Sequence, residues 1–68
     1  MEPITVKEII RALGGPKAAA ERLNITGDYA ANRICNWAAR NRIPAPIEAA
    51  NHKTICEAKR RVREMRAA

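Results

Sequence analysis

Apolar residues recur along this chain at three- and four-residue intervals, and the first three series are closed by Gly, Asn or Pro. That spacing is the mark of helices with one buried face. In the first series Ile9, Ile10 and Leu13 form the stripe. Thr5 and Glu8 fit a capping box, and Ile4 and Ile9 sit where a hydrophobic staple would close around it. Gly14 and Gly15 end the segment, because Gly accepts the backbone conformation that stops a helix. Pro16 suits a first helical turn, where its missing N–H costs nothing, and "PKAAAERL" follows with Ala19, Ala20 and Leu23 on one face. Asn24 is a suitable left-handed cap, and Ile25 returns to the core.

"TGDYAANRICNWAAR" reads as a third helix, with Thr26 or Asp28 as its cap. Ala30, Ile34, Trp37 and Ala38 share its apolar side. Arg40 and Arg42 place cations at the negative end of its dipole. Ile43 tucks back onto the core, and Pro44 and Pro46 allow a new start. From Ile47 onward there is neither Gly nor Pro, so a helix over about 45–67 is expected. Ile55, Ala58, Val62 and Met65 follow a 3-4-3 spacing, a short heptad-like seam suited to a partner. Asn51 and Thr54 are the weak point of this segment, since such side chains favour caps over helix interiors. Either one helix runs through or two meet there; the continuous helix is the favoured expectation. No strand-like alternation, repeat or low-complexity tract interrupts the pattern.

Composition narrows the reading. Sixty-eight residues suffice for one small domain. At this size only about 60% of the unfolded surface is buried, so a partner or ligand would add useful stability. Thirteen Lys and Arg against seven Asp and Glu leave a net charge of +6, which points to an anionic partner. Cys35 and Cys56 are too few for a disulfide framework and read as small buried or half-buried thiols in a reducing cytosol. His52 and Cys56 could share a helix face, but such a pair is half a metal site at best, and no metal is expected. There is no long apolar run and no basic-then-apolar leader. A cytoplasmic protein, in the nucleoid, is expected, with no membrane contact.

The stretch "GGPKAAAERLNI … ICNWAARNRIPA" resembles the small Cro/CI-like (lambda-repressor-like) helix-turn-helix regulators of phages and prophages. The resemblance covers roughly residues 7–49. It rests on Ala20, Leu23, the cap position Asn24 and Ile25, then on Ile34 and Trp37 three apart, and on a basic segment ending in Ile43-Pro44. It implies an all-α fold: a compact helix-turn-helix bundle of 4–5 helices with a long basic C-terminal helix. The whole of 1–68 would be one domain, with the motif at about 16–40 and a recognition helix at about 28–40. Eight residues, 26–33, separate Ile25 from Ile34, where family members have about four. Either the second motif helix starts a turn earlier, or the turn is enlarged. Without the insertion Arg33 would take a buried anchor position, at a cost of several kcal/mol for an unpaired guanidinium. Ile34 and Trp37 are therefore the anchors.

With those two turned inward, the opposite face carries Tyr29, Asn32, Arg33, Asn36 and Arg40. Lying in a major groove, such a helix reads base edges: Asn pairs with adenine and Arg with guanine through two hydrogen bonds each. Asn32, Arg33 and Asn36 are the expected base readers. Lys17, Thr26, Arg40 and Arg42 are expected on phosphates, with the backbone N–H groups at the helix start. Tyr29 either covers the core or touches the DNA backbone. The tail "KRRVREMR" has five cations in eight residues. Lys59, Arg60, Arg61 and Arg63 could meet phosphate, while Ile55, Val62 and Met65 form a dimer seam.

The expected function is a sequence-specific, double-stranded-DNA-binding transcriptional regulator, a homodimer on a two-fold operator that occludes or recruits at a promoter. Neither cofactor nor small-molecule substrate is expected, and no general acid/base pair, phosphate-cradling Gly loop or nucleophile-plus-base set suggests an enzyme. Two alternatives stand beside it: an excisionase-like or architectural DNA-binding protein, and a module whose basic C-terminal helix docks an anionic partner.

Overall fold

A computed structural model describes residues 3–67. It is all-α, with five helices in chain order: α1 (Val6–Ala12), α2 (Pro16–Arg22), α3 (Ala30–Arg40), α4 (Ala45–Ala50) and α5 (His52–Ala67). The capping box forms as expected. The Thr5 hydroxyl accepts from the Glu8 N–H at 3.2 Å, and the Glu8 carboxylate accepts from the Thr5 N–H at 3.2 Å. Each of the first three helices ends in the same two-bond closure, in which the chain reverses at a residue with positive φ. After α1 the Gly15 N–H reaches the Ile10 carbonyl (3.0 Å) with Gly14 at φ 104°. After α2 the Ile25 N–H reaches Ala20 (2.8 Å) with Asn24 at φ 57°, and after α3 the Arg42 N–H reaches Trp37 (3.0 Å) with Asn41 at φ 53°.

The core is built from one face of each long helix. Ile9, Ile10 and Leu13 meet Ala19, Ala20 and Leu23, then Ile34 and Trp37, then Ile55 and Ala58. Ile4, Ile25, Ile43 and Ile47 pack at its edges. Ala19 and Ala20 let α2 lie close against α3, and α1 is the central layer, with α5 on one flank and α3 on the other. No charged or polar side chain is buried among the described residues.

Four expectations need correction. The C-terminal segment is two helices, broken at Asn51 (φ −120°, ψ 26°). The Asn51 amide donates to the Ile47 carbonyl at 3.1 Å and to the Leu23 carbonyl at 3.3 Å, so it ties the junction to the end of α2. The Ile55–Val62 seam faces the protein's own core: Ile55, Ala58 and Val62 are no more than 2% exposed, and of the seam only Met65 is open, at 57%. It packs on α1 and cannot serve a partner. Neither Thr26 nor Asp28 caps α3; Tyr29 occupies that position with no side-chain bond. Finally, both cysteines are exposed and free. At about 100° per residue each follows a buried Ile by one position, which turns it away from the core.

Candidate nucleic-acid interface

α3 is the element that carries a concentrated polar face, and its anchoring explains why. Ile34 is fully buried and Trp37 is 9% exposed, while Ala30 and Ala38 are half-buried beside them. Those four residues fix the helix about its axis. At about 100° per residue, Asn32, Asn36 and Ala39 point directly away from the core. Arg33 and Arg40 lie on one shoulder of this ridge, and Ala31 and Cys35 lie on the other. All seven are exposed. The register in which Arg33 stays outside is thus the one adopted.

The connection into α3 is a turn. Residues 26–29 lie outside the helix, closed by the Ala30 N–H to the Gly27 carbonyl at 3.3 Å, with Gly27 at φ 111°. α3 starts at Ala30, four residues before the anchor Ile34. Thr26 sits exposed in that turn, and Tyr29 projects into solvent at 72% exposure, so it does not cover the core.

The remaining predicted residues divide. Lys17 is exposed on the first turn of α2. Arg42 follows α3 and lines a concavity with Lys59 of α5, between the start of α1 and the start of α4. Arg61 and Met65 lie beside Arg11 on the α1–α5 flank. Arg60 sits 3.9 Å from Glu64 in an exposed pair, and Arg63 is exposed. The tail is therefore a mixed helix face in which Glu57 and Glu64 interleave with the cations. Arg66, at its end, donates to both Glu8 carboxylate oxygens, at 2.6 and 3.1 Å, and to the Pro3 carbonyl. The Arg66 guanidinium and the Thr5 hydrogen bonds hold the Glu8 carboxyl below its ordinary value of 4.5.

Four residues have roles that the sequence expectations do not assign. Asn41 accepts from the Val6 N–H at 2.9 Å, so the end of α3 caps the start of α1. Asn51 binds α2, as described. Lys7 and Arg11, one turn apart on the outer face of α1, form the far lip of a groove of ≈ 550 Å³ whose near wall is Cys35, Ala38 and Ala39 of α3. The Lys7–Arg11 spacing was visible in the sequence; the packing of α1 against that side of α3 was not. His52 and Cys56 do share a face, with Nε2 and Sγ 3.5 Å apart, but no cluster of three or more metal-type ligands exists among the described residues. Among those residues, too, no helix is long and apolar enough to cross a membrane. Compared with protein-family models, curated protein sequences and solved structures, the chain matches none.

Proposed function

We propose that this chain is a sequence-specific regulator that binds double-stranded DNA, with α2, the connecting turn and α3 acting as a helix-turn-helix and α3 entering the major groove. The observation that carries the reading is the Asn32–Asn36 ridge, flanked by Arg33 and Arg40 and held outward by buried Ile34 and Trp37. An ordinary amphipathic helix also pairs buried anchors with a polar face; what sets this one apart is that its outer face offers amides and guanidiniums and no carboxylate. The donors and acceptors on this ridge match base edges, and each two-pronged pair contributes about 1–3 kcal/mol of discrimination. Lys17, Thr26, Arg40 and Arg42 are exposed around the ridge and serve as phosphate contacts, which position the protein without reading sequence. The net charge of +6 supplies long-range attraction.

Bound at a promoter, the protein acts by occlusion or by recruitment. Two copies on a two-fold site would read half-sites about one helical turn apart. They would pair through a surface other than the Ile55–Val62 seam, which is already covered.

Binding to a labelled duplex in the presence of excess unlabelled random duplex tests the reading. Retained binding to a selected sequence supports it. Binding without preference indicates an architectural protein instead, and no duplex binding indicates a protein-interaction module. Within the same assay, Arg33→Ala and Asn36→Ala should relax base preference more than they lower affinity for random DNA. Equal loss on every sequence would place the reading face elsewhere.

A further inference from the structure

A helix lying in the major groove has a phosphate backbone on each side, across a groove about 12 Å wide. α3 itself has cations on one shoulder only, Arg33 and Arg40. Its other shoulder is Ala31 and Cys35, which offer a phosphate nothing ionic. On that side, however, the structure places a second helix. Lys7 and Arg11 of α1 stand across the ≈ 550 Å³ groove from Cys35, Ala38 and Ala39, and no carboxylate lines it. The rest of the lining is Ile10, Gly15 and Pro16 beside the Cys35 thiol and the methyl groups of Ala38 and Ala39, so Lys7 and Arg11 are its only charged side chains.

We infer that the α1–α3 groove seats the sugar–phosphate backbone of one DNA strand, with Lys7 and Arg11 as its phosphate contacts. This rests on the duplex-DNA reading of α3 and extends it to a helix outside the motif. The two flanks of the reading ridge then carry cations from different elements. Arg40, beside the base reader Arg33, faces one strand, and Lys7 and Arg11 face the other. The apolar wall accommodates the sugar edge, while the long Lys and Arg stems let their charges reach the phosphate. Both side chains are exposed and neither has a carboxylate in the groove to compete for it.

The test is the salt dependence of affinity for a duplex, measured on the full chain and on Lys7→Gln, Arg11→Gln and the double variant. Each phosphate contact contributes about 0.9 to the slope of log affinity against log salt. Each single variant should lower the slope by about 0.9 and the double by about 1.8, with the preferred sequence unchanged. Lys53→Gln is the control for net charge, because Lys53 lies on α5, away from this groove; its slope should equal that of the unaltered protein. A slope unchanged by the double variant overturns the inference while leaving the DNA reading intact. So does an equal fall with Lys53→Gln, or an altered base preference. If the unaltered protein binds no duplex, both readings fall together. Thermal unfolding of each variant identifies any that fails to fold, and the other single variant then carries the test.

Discussion

Asn41 does two things at one position. Its backbone takes the left-handed conformation that ends α3, and its side chain accepts from the first N–H of α1. Replacing it separates these roles. Asn41→Gly keeps the backbone freedom and loses only the cap, at about 1 kcal/mol. Asn41→Ala also meets the penalty for a side chain at positive φ, raising the cost to about 2 kcal/mol. Urea unfolding checks the pair, and equal losses would show that the left-handed turn contributes nothing. Glu8 is a second linking residue. Its carboxyl titrates below the ordinary 4.5 because it is held by Arg66 and Thr5, so its contribution is fully present above that value. That contribution is lost as pH falls through the lowered folded value. Glu8→Gln should therefore be less stable than the unaltered chain at neutral pH, and the two urea midpoints should converge as the solution becomes acidic. A constant difference across that window would contradict the assignment. The Thr5–Glu8 pair was legible in the sequence because a capping box is local. The Asn41–Val6 and Arg66–Glu8 links join residues 35 and 58 positions apart, and no spacing rule reports such a contact.

Among elements, α5 shows how far periodicity goes and where it ends. The spacing of Ile55, Ala58 and Val62 correctly marks one face as apolar, but it does not say what covers that face. α1 does, within the same chain. Val62→Glu thus places a carboxylate in a dry core with no partner, a cost of several kcal/mol against a total stability of about 5–15 kcal/mol. The expected outcome is loss of cooperative unfolding by circular dichroism. A variant that keeps its helicity and merely changes mass in sedimentation would return the seam to a subunit interface. Truncation of the last turns carries the same penalty, since it removes Val62 and the Arg66 tie together; Arg61→Gln and Arg63→Gln probe the tail's charge without opening the core. The break at Asn51 was legible as a weak point because Asn prefers caps. What decides it is the carbonyl of Leu23, supplied by α2. α3 was the most legible element. Its anchors, its outward ridge and the exclusion of Arg33 from the core all follow from helical spacing and the cost of burying a charge.

At the scale of the molecule, the arrangement matters more than the composition. A charge of +6 favours any polyanion. On the proposed reading, a polar ridge between two cationic flanks, one on α3 and one on α1, suits a duplex groove in particular. The sequence displays the α3 flank, because those cations sit beside the anchors. It does not display the α1 flank, because only tertiary packing sets Lys7 and Arg11 beside α3. The central claim is that α3 reads bases. Selection of binding sites from a random duplex pool, run with the unaltered chain and with Asn36→Ala, tests it most directly. The account predicts a defined enriched motif for the unaltered chain, and the loss of preference at a single base position for the variant. A pool that stays random with the unaltered chain would contradict it.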